Sequence, residues 1–199
     1  MLNPDDPEVY LKAGLALCRS HHFKEAQTCF EQALSLDATH CKAHLHLGQL
    51  KDCLGDPEEA EKHYQHIYTL QPQDSKVHQE LAMHYGVKEN WKRSVEHLEI
   101  LITLEPEIAE YHWFTAQAYH KQNILKPAEY HYKKAIQLYK EDLKNSPAHA
   151  SFIIYGNLGY AYEAFNELST ALYYWQLAIE LDPDNDHVYE LYYRMGCAI

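Results

Sequence analysis

The 199 residues carry 46% hydrophobic and 13% aromatic side chains but only 7 glycines and 8 prolines, which excludes a disordered or collagen-like chain and allows a real core. A formal net charge of −12, from 17 basic and 29 acidic residues, argues against nucleic acid as a partner, because phosphate binding needs a clustered positive surface. No apolar run reaches the roughly 18 residues of a membrane span, and the opening MLNPDDPEVY lacks the basic and apolar regions of a signal peptide, so no membrane insertion is expected. Five cysteines, an odd number with no CxxC pair, sit in helical segments at Cys18, Cys29, Cys41, Cys53 and Cys197. They read as reduced thiols and point to a cytoplasmic protein.

In chain order, Leu2-Asn3-Pro4-Asp5-Asp6 matches the later Leu181-Asp182-Pro183-Asp184-Asn185, so the sequence reads as opening on the tail of a preceding repeat and as part of a longer chain. Asp6-Pro7-Glu8 then supplies an N-cap, an N1 proline and an acidic first turn for a helix to about Arg19. A partner helix over 24–36 carries Ala26, Phe30 and Ala33 on one face. The stretch 41–74 repeats this plan, with Leu47-Gly48, a tight Gly55-Asp56-Pro57 turn, then Ala60, Tyr64 and Ile67 at helical spacing and a closing Pro72.

Sliding the register by 34 residues superposes these features on 7–40, 75–108 and 109–142, and on 152–185 once nine residues, 143–151, are set aside as an insertion. Lys140 stands where the fourth repeat should close on proline, so its second helix is expected to run on until Ser146-Pro147 stops it. The remainder, 186–199, reads as one unpartnered helix capping the last pair.

The spacing resembles the tetratricopeptide signature W-x2-L-G-x2-Y, A-x3-F and P. The tryptophan slot holds Tyr10, His44, His78, His112 and Tyr155; the glycine slot holds Gly14, Gly48, Ala82, Ala116 and Gly159. The alanine slot holds Ala26, Ala60, Ser94, Ala128 and Ala171, followed by Phe30, Tyr64, Leu98, Tyr132 and Trp175. Lys51 departs from the tyrosine, and Ala38 and Lys140 from the proline. Small residues let two helices approach while large ones fill the gaps. The resemblance implies an all-α, right-handed α-solenoid of five helix pairs plus a C-terminal helix, forming one domain.

Fifteen histidines raise the question of a metal, and His63 with His66, or His40 with Cys41 and His44, have ligand-like spacing. They are scattered through every repeat instead of converging in threes or fours, so no metal and no cofactor are expected. His44, His78 and His112 hold equivalent positions and read as packing residues that make stability pH-sensitive. Cys18 beside His21 and His22 is the nearest approach to a nucleophile with a base, and the chain reads as a non-enzyme.

By resemblance, the first helices line a concave groove that holds a segment of a protein partner. Its chaperone-binding carboxylate clamp is not matched: Leu11, Leu15, His46 and Glu80 replace clamp residues, and Lys76 alone agrees. The principal peptide site is expected in repeats three to five, at Met83, Trp113, Phe114, Gln117, Asn157 and Tyr160, where rings could anchor a ligand and amides fix its register. In the opposing reading Trp113 or Phe114 packs between repeats. The runner-up to that site is the N-terminal groove, where Lys42, His46 and Lys76, with Lys12 and Arg19, could draw an acidic segment. Two other readings stand beside the scaffold: a targeting or regulatory domain of a larger enzyme, and a module that homo-oligomerises through Tyr189, Tyr192 and Tyr193 of the terminal helix.

Overall fold

A computed structural model describes the chain from Asp5 to Cys197, without the side chain of Cys197. The repeat-tail reading of Leu2 to Pro4, and the last two residues of the terminal segment, lie outside the described residues. Eleven α-helices and no strand occur among the described residues: α1 (Pro7–Arg19), α2 (Phe23–Leu36), α3 (Cys41–Cys53), α4 (Pro57–Leu70), α5 (Ser75–Val87), α6 (Trp91–Leu104), α7 (Ala109–Lys121), α8 (Leu125–Asn145), α9 (Phe152–Ala164), α10 (Leu168–Leu181) and α11 (Val188–Cys197). The fold is an α-solenoid of five helix pairs with α11 after the last. None of the described helices is long and apolar enough to cross a membrane.

The caps explain where the helices begin. Asp6 accepts from the Glu8 amide at 2.9 Å, Asp56 from Glu59 at 3.3 Å and Asp74 from Lys76 at 2.8 Å, each satisfying an orphan donor of a first turn. The turn inside each pair is built alike, although only one contains glycine. His21, Gly55, Glu89, Asn123 and Asn166 all take positive φ, between 55° and 78°. The next residue then reaches back five positions, as in His22 to Leu17 and Asp56 to Lys51, both at 2.9 Å. That bond closes the exposed carbonyls of the first helix.

The described chain forms two compact units, one ending at Leu104 and one beginning at Glu105. In the first, Phe30 and Tyr64 are fully buried against Gly14 and Gly48, where an added Cβ would lie 2.5 Å and 2.6 Å from the rings. In the second, Trp175 fills the equivalent place over Gly159, at 2.2 Å from such a Cβ. These slots need glycine for closeness of approach.

The long helix expected in the fourth repeat is α8, 21 residues ending at Asn145, with Ser146 as its C-cap. The rest of the insertion forms a short 3-10 turn, Pro147–His149, that folds back on α8, with His149 Nδ1 2.9 Å from Asp142 Oδ1. Val188 and Leu191 of α11 are buried in the cluster around Trp175, which leaves Tyr189, Tyr192 and Tyr193 exposed.

Candidate peptide-binding cleft

Within the first unit, α1, α3 and α5 bring the starts of three first helices together around a cleft of about 680 Å³. Its lining includes Lys42, His46 and Lys76, with buried Leu45, Ile67 and Val77 supplying apolar surface. Glu8, Asp37 and Asp74 put acidic groups on the same lining. Glu8 lies 3.9 Å from the Lys42 ammonium and 3.5 Å from His40 Nε2. Asp74 is occupied in capping α5 through the Lys76 and Val77 amides. Lys42 is exposed and its side chain retains 71% of its accessibility, so this loose pair leaves most of the ammonium to solvent or a ligand.

Along α3 and α5 runs a short polar chain. His46 Nδ1 donates to Gln49 Oε1 at 2.9 Å, and Gln49 Nε2 donates to Glu80 Oε1 at 2.8 Å. Burial holds the His46 ring below its ordinary pKa; the Gln49 bond opposes this, while the Lys76 and Lys42 charges push further down. A neutral ring with Nδ1 donating leaves Nε2 as an acceptor. The cleft therefore combines apolar walls, two ammonium groups, three carboxylates and a neutral imidazole acceptor.

The residues expected in repeats three to five fare differently. Trp113 is 9% exposed and belongs to the buried cluster of the second unit with Ala116, Ile154 and Leu158. This is the packing reading of that ring, and it arises because α7 is apolar on more than one face. Asn157 is also buried and spends its amide donor on the Tyr139 hydroxyl at 2.9 Å. Tyr160 is half-buried, lies edge-to-face on Trp175 and carries the Arg194 guanidinium 4.9 Å above its ring. Phe114 is 48% exposed and Gln117 half-buried on α7, and Met83 is 66% exposed on α5. Of the six, Gln117 and Met83 lie outside these internal commitments, and Phe114 stays half exposed although its ring meets that of Trp113 edge-to-face, with centroids 5.1 Å apart.

The sequence puts Glu80 at a groove position but does not show that Gln49 bonds it and fixes His46. Side chains on α3 and α5 that stand 31 residues apart become neighbours only once the 34-residue stacking is applied, and that spacing was the signal available. Among the described residues, no three His, Cys, Asp or Glu side chains converge as a metal ion requires.

Models of the tetratricopeptide repeat match residues 7–40, 42–74 and 80–143, which together take in most of the chain. No curated protein matches the sequence. Solved structures share the fold at low identity. The pilF protein of Pseudomonas aeruginosa superposes with a TM-score of 0.73 at 16% identity, over 96% of this chain and 83% of that one. MamA 41-end of Desulfovibrio magneticus RS-1 gives 0.70 at 17%, over 90% and 97%. YrrB, described as a tetratricopeptide protein with an unusual peptide-binding site, gives 0.64 at 18%, over 96% and 94%.

Proposed function

The chain belongs to the tetratricopeptide repeat family, and from that premise we propose that it is a non-catalytic interaction scaffold whose first-unit cleft holds an extended segment of a protein partner. The cleft lined by Lys42, His46 and Lys76 over Leu45, Ile67 and Val77 carries this reading. An ammonium group on each of two successive first helices can meet acidic side chains of a bound strand, while the apolar walls take an aliphatic or aromatic residue between them. Since a few buried contacts supply most of the affinity in such sites, often about 2 kcal/mol each, a short motif suffices. A second face, Phe114 with Gln117 on α7, is favoured by the exposure of that ring, which exceeds what packing requires.

Four described cysteines, Cys18, Cys29, Cys41 and Cys53, are unpaired, and burial pushes the Cys18 and Cys41 thiols up, away from reactivity. Unpaired thiols suit a reducing compartment, and we infer a cytoplasmic location.

The test is selection from a displayed random-peptide library on the intact chain, repeated on Lys42→Glu/Lys76→Glu. Peptides enriched on the wild type should carry acidic residues flanking an apolar one and lose tenfold or more in affinity on the double variant. Peptides that bind both proteins equally would move the site away from this cleft, and binding lost in Phe114→Ala instead would place it on α7.

A further inference from the structure

Repeats two, three and four each pair two imidazoles at the same place, one ring on the first helix and one on the second, half-buried in repeat two and buried in repeats three and four. His44 and His63 face each other with Nδ1 atoms 2.9 Å apart; His78 with His97 and His112 with His131 do so at 3.0 Å. The ring centroids are 5.2 Å apart in all three pairs. The first and fifth repeats break the series, with Tyr10 and Cys29 at these positions in one and stacked Tyr155 and Tyr174 in the other.

The backbone fixes the tautomers. Nε2 of His44 lies 3.0 Å from the Ala38 carbonyl oxygen, Nε2 of His78 lies 3.0 Å from that of Pro72, and His112 bonds the Pro106 backbone. A carbonyl can only accept, so Nε2 carries the hydrogen and the neutral ring presents Nδ1 as an acceptor. The second ring of each pair must then donate its Nδ1–H. Each contact is thus a neutral N–H···N bond that ties the two helices of one repeat to the closing loop of the repeat before.

We propose that the three imidazole pairs form an acid-sensitive latch, each holding the two helices of its own repeat together at neutral pH and releasing them as the rings take up protons. A first proton must enter a largely desolvated site. A second leaves two N–H groups facing each other at about 3 Å with like charges, so the bond cannot survive it.

The surroundings grade the three pairs. His40 and His66 add cationic neighbours to His44 and His63, while Asp37 and Glu59 oppose them and Lys51 reinforces them. Glu107 and Lys134 act in opposite senses on His112, with Tyr119 and Tyr130 rings against His131. The middle pair is the driest: both rings are buried, Tyr68 and Tyr85 cover them, and the charge acting on His97 besides its partner is the cation of Arg93. Burial and then the partner imidazole hold His97 down to about 4, and the same causes act on the half-exposed His63.

The sign follows. An unfolded histidine near 6.5 binds protons that the folded ring refuses, so the stabilisation is complete above about pH 6.5 and is lost as pH falls towards 4. For His97 alone, moving from pH 7.5 to 5 should raise the unfolding equilibrium constant roughly thirtyfold. General charge effects run the other way, because a chain of net charge −12 and pI 5.6 loses self-repulsion over the same interval.

The test compares the unfolding equilibrium of the intact chain at pH 7.5 and pH 5 with that of His97→Asn, whose amide can donate in place of Nδ1–H without titrating. His21→Asn/His22→Asn, at exposed positions, is the control. The expected result is a loss of stability at pH 5 in the wild type and control, shrinking about tenfold or more in His97→Asn. Should that variant not fold, proton NMR titration of the wild type decides: His97 titrating near 4 supports the latch, and titration near 6.5 overturns it. Equal or greater stability of the wild type at pH 5, or an unchanged pH dependence in His97→Asn, also overturns it.

Discussion

The second and fifth repeats fill one slot of the same repeat in opposite chemical styles. In the first unit, Tyr64 packs on Gly48 and its hydroxyl donates to Asp52 Oδ2 at 2.9 Å, while Asp52 Oδ1 accepts from buried His84 Nδ1 at 2.9 Å. The aromatic thereby joins a polar chain between the second and third helix pairs. In the second unit, Trp175 packs on Gly159 with its indole N–H buried and unpartnered, held by shape against Tyr160 and the aliphatic cluster around it. A shared spacing thus sets how closely two helices approach, and the neighbours decide whether the joint is tied by hydrogen bonds or by packing alone.

If that contrast is right, the packed joint should be the more fragile to changes of volume. Trp175→Ala should cost about 3–5 kcal/mol, seen as loss of the fifth pair and α11 in a chemical denaturation series. Gly159→Ala should cost about 1–3 kcal/mol, since the added Cβ meets a ring that is fully buried and has nowhere to move. Gly156→Ala, in the same helix but with open space at its Cβ, should be neutral or gain up to about 1 kcal/mol. Equal penalties at 156 and 159 would show that helix propensity, not closeness, governs α9.

The tied joint should instead be sensitive to polarity. Asp52→Ala leaves the Tyr64 hydroxyl and His84 Nδ1 without their acceptor and should cost about 1–3 kcal/mol, whereas Tyr64→Phe should cost about 1 kcal/mol because the ring still fills its slot. A nearby network supports the same pair of repeats: Tyr85 donates to Glu61 at 2.9 Å and Arg93 reaches Glu61 at 2.7 Å. Thermal melts of the two variants that come out in the reverse order would mean that Asp52 is solvated and the joint is held by packing in both units. The smallest effect should come from Glu89→Gly, which relieves a positive φ of 55° at an exposed turn and should gain up to about 1 kcal/mol.

Periodicity made the helix pairs, their caps and the long α8 legible in advance, because small and large residues recur every 34 positions and Ser146-Pro147 ends a helix by itself. The turns were less legible: Gly55 advertises left-handed backbone and Asn123 and Asn166 tolerate it, whereas His21 and Glu89 adopt it because the five-residue back-bond demands it. The candidate cleft was half legible. Lys42, His46 and Lys76 follow from their register on the first helices, but whether Trp113 faces a groove or a neighbouring helix depends on α9, which contributes Ile154 and Leu158 to the same cluster. Likewise the equivalence of His44, His78 and His112 is plain in the sequence, while their bonding to His63, His97 and His131 depends on how far each first helix slides along the second.

The central proposal, that the first-unit cleft receives a partner segment, is met most directly by mapping a selected peptide onto the protein with amide NMR. Shifts concentrated at Lys42, His46 and Lys76 and fading beyond α5 are the expected result. Shifts confined to Phe114 and Gln117, with the α3 and α5 resonances unmoved at saturating peptide, would contradict it.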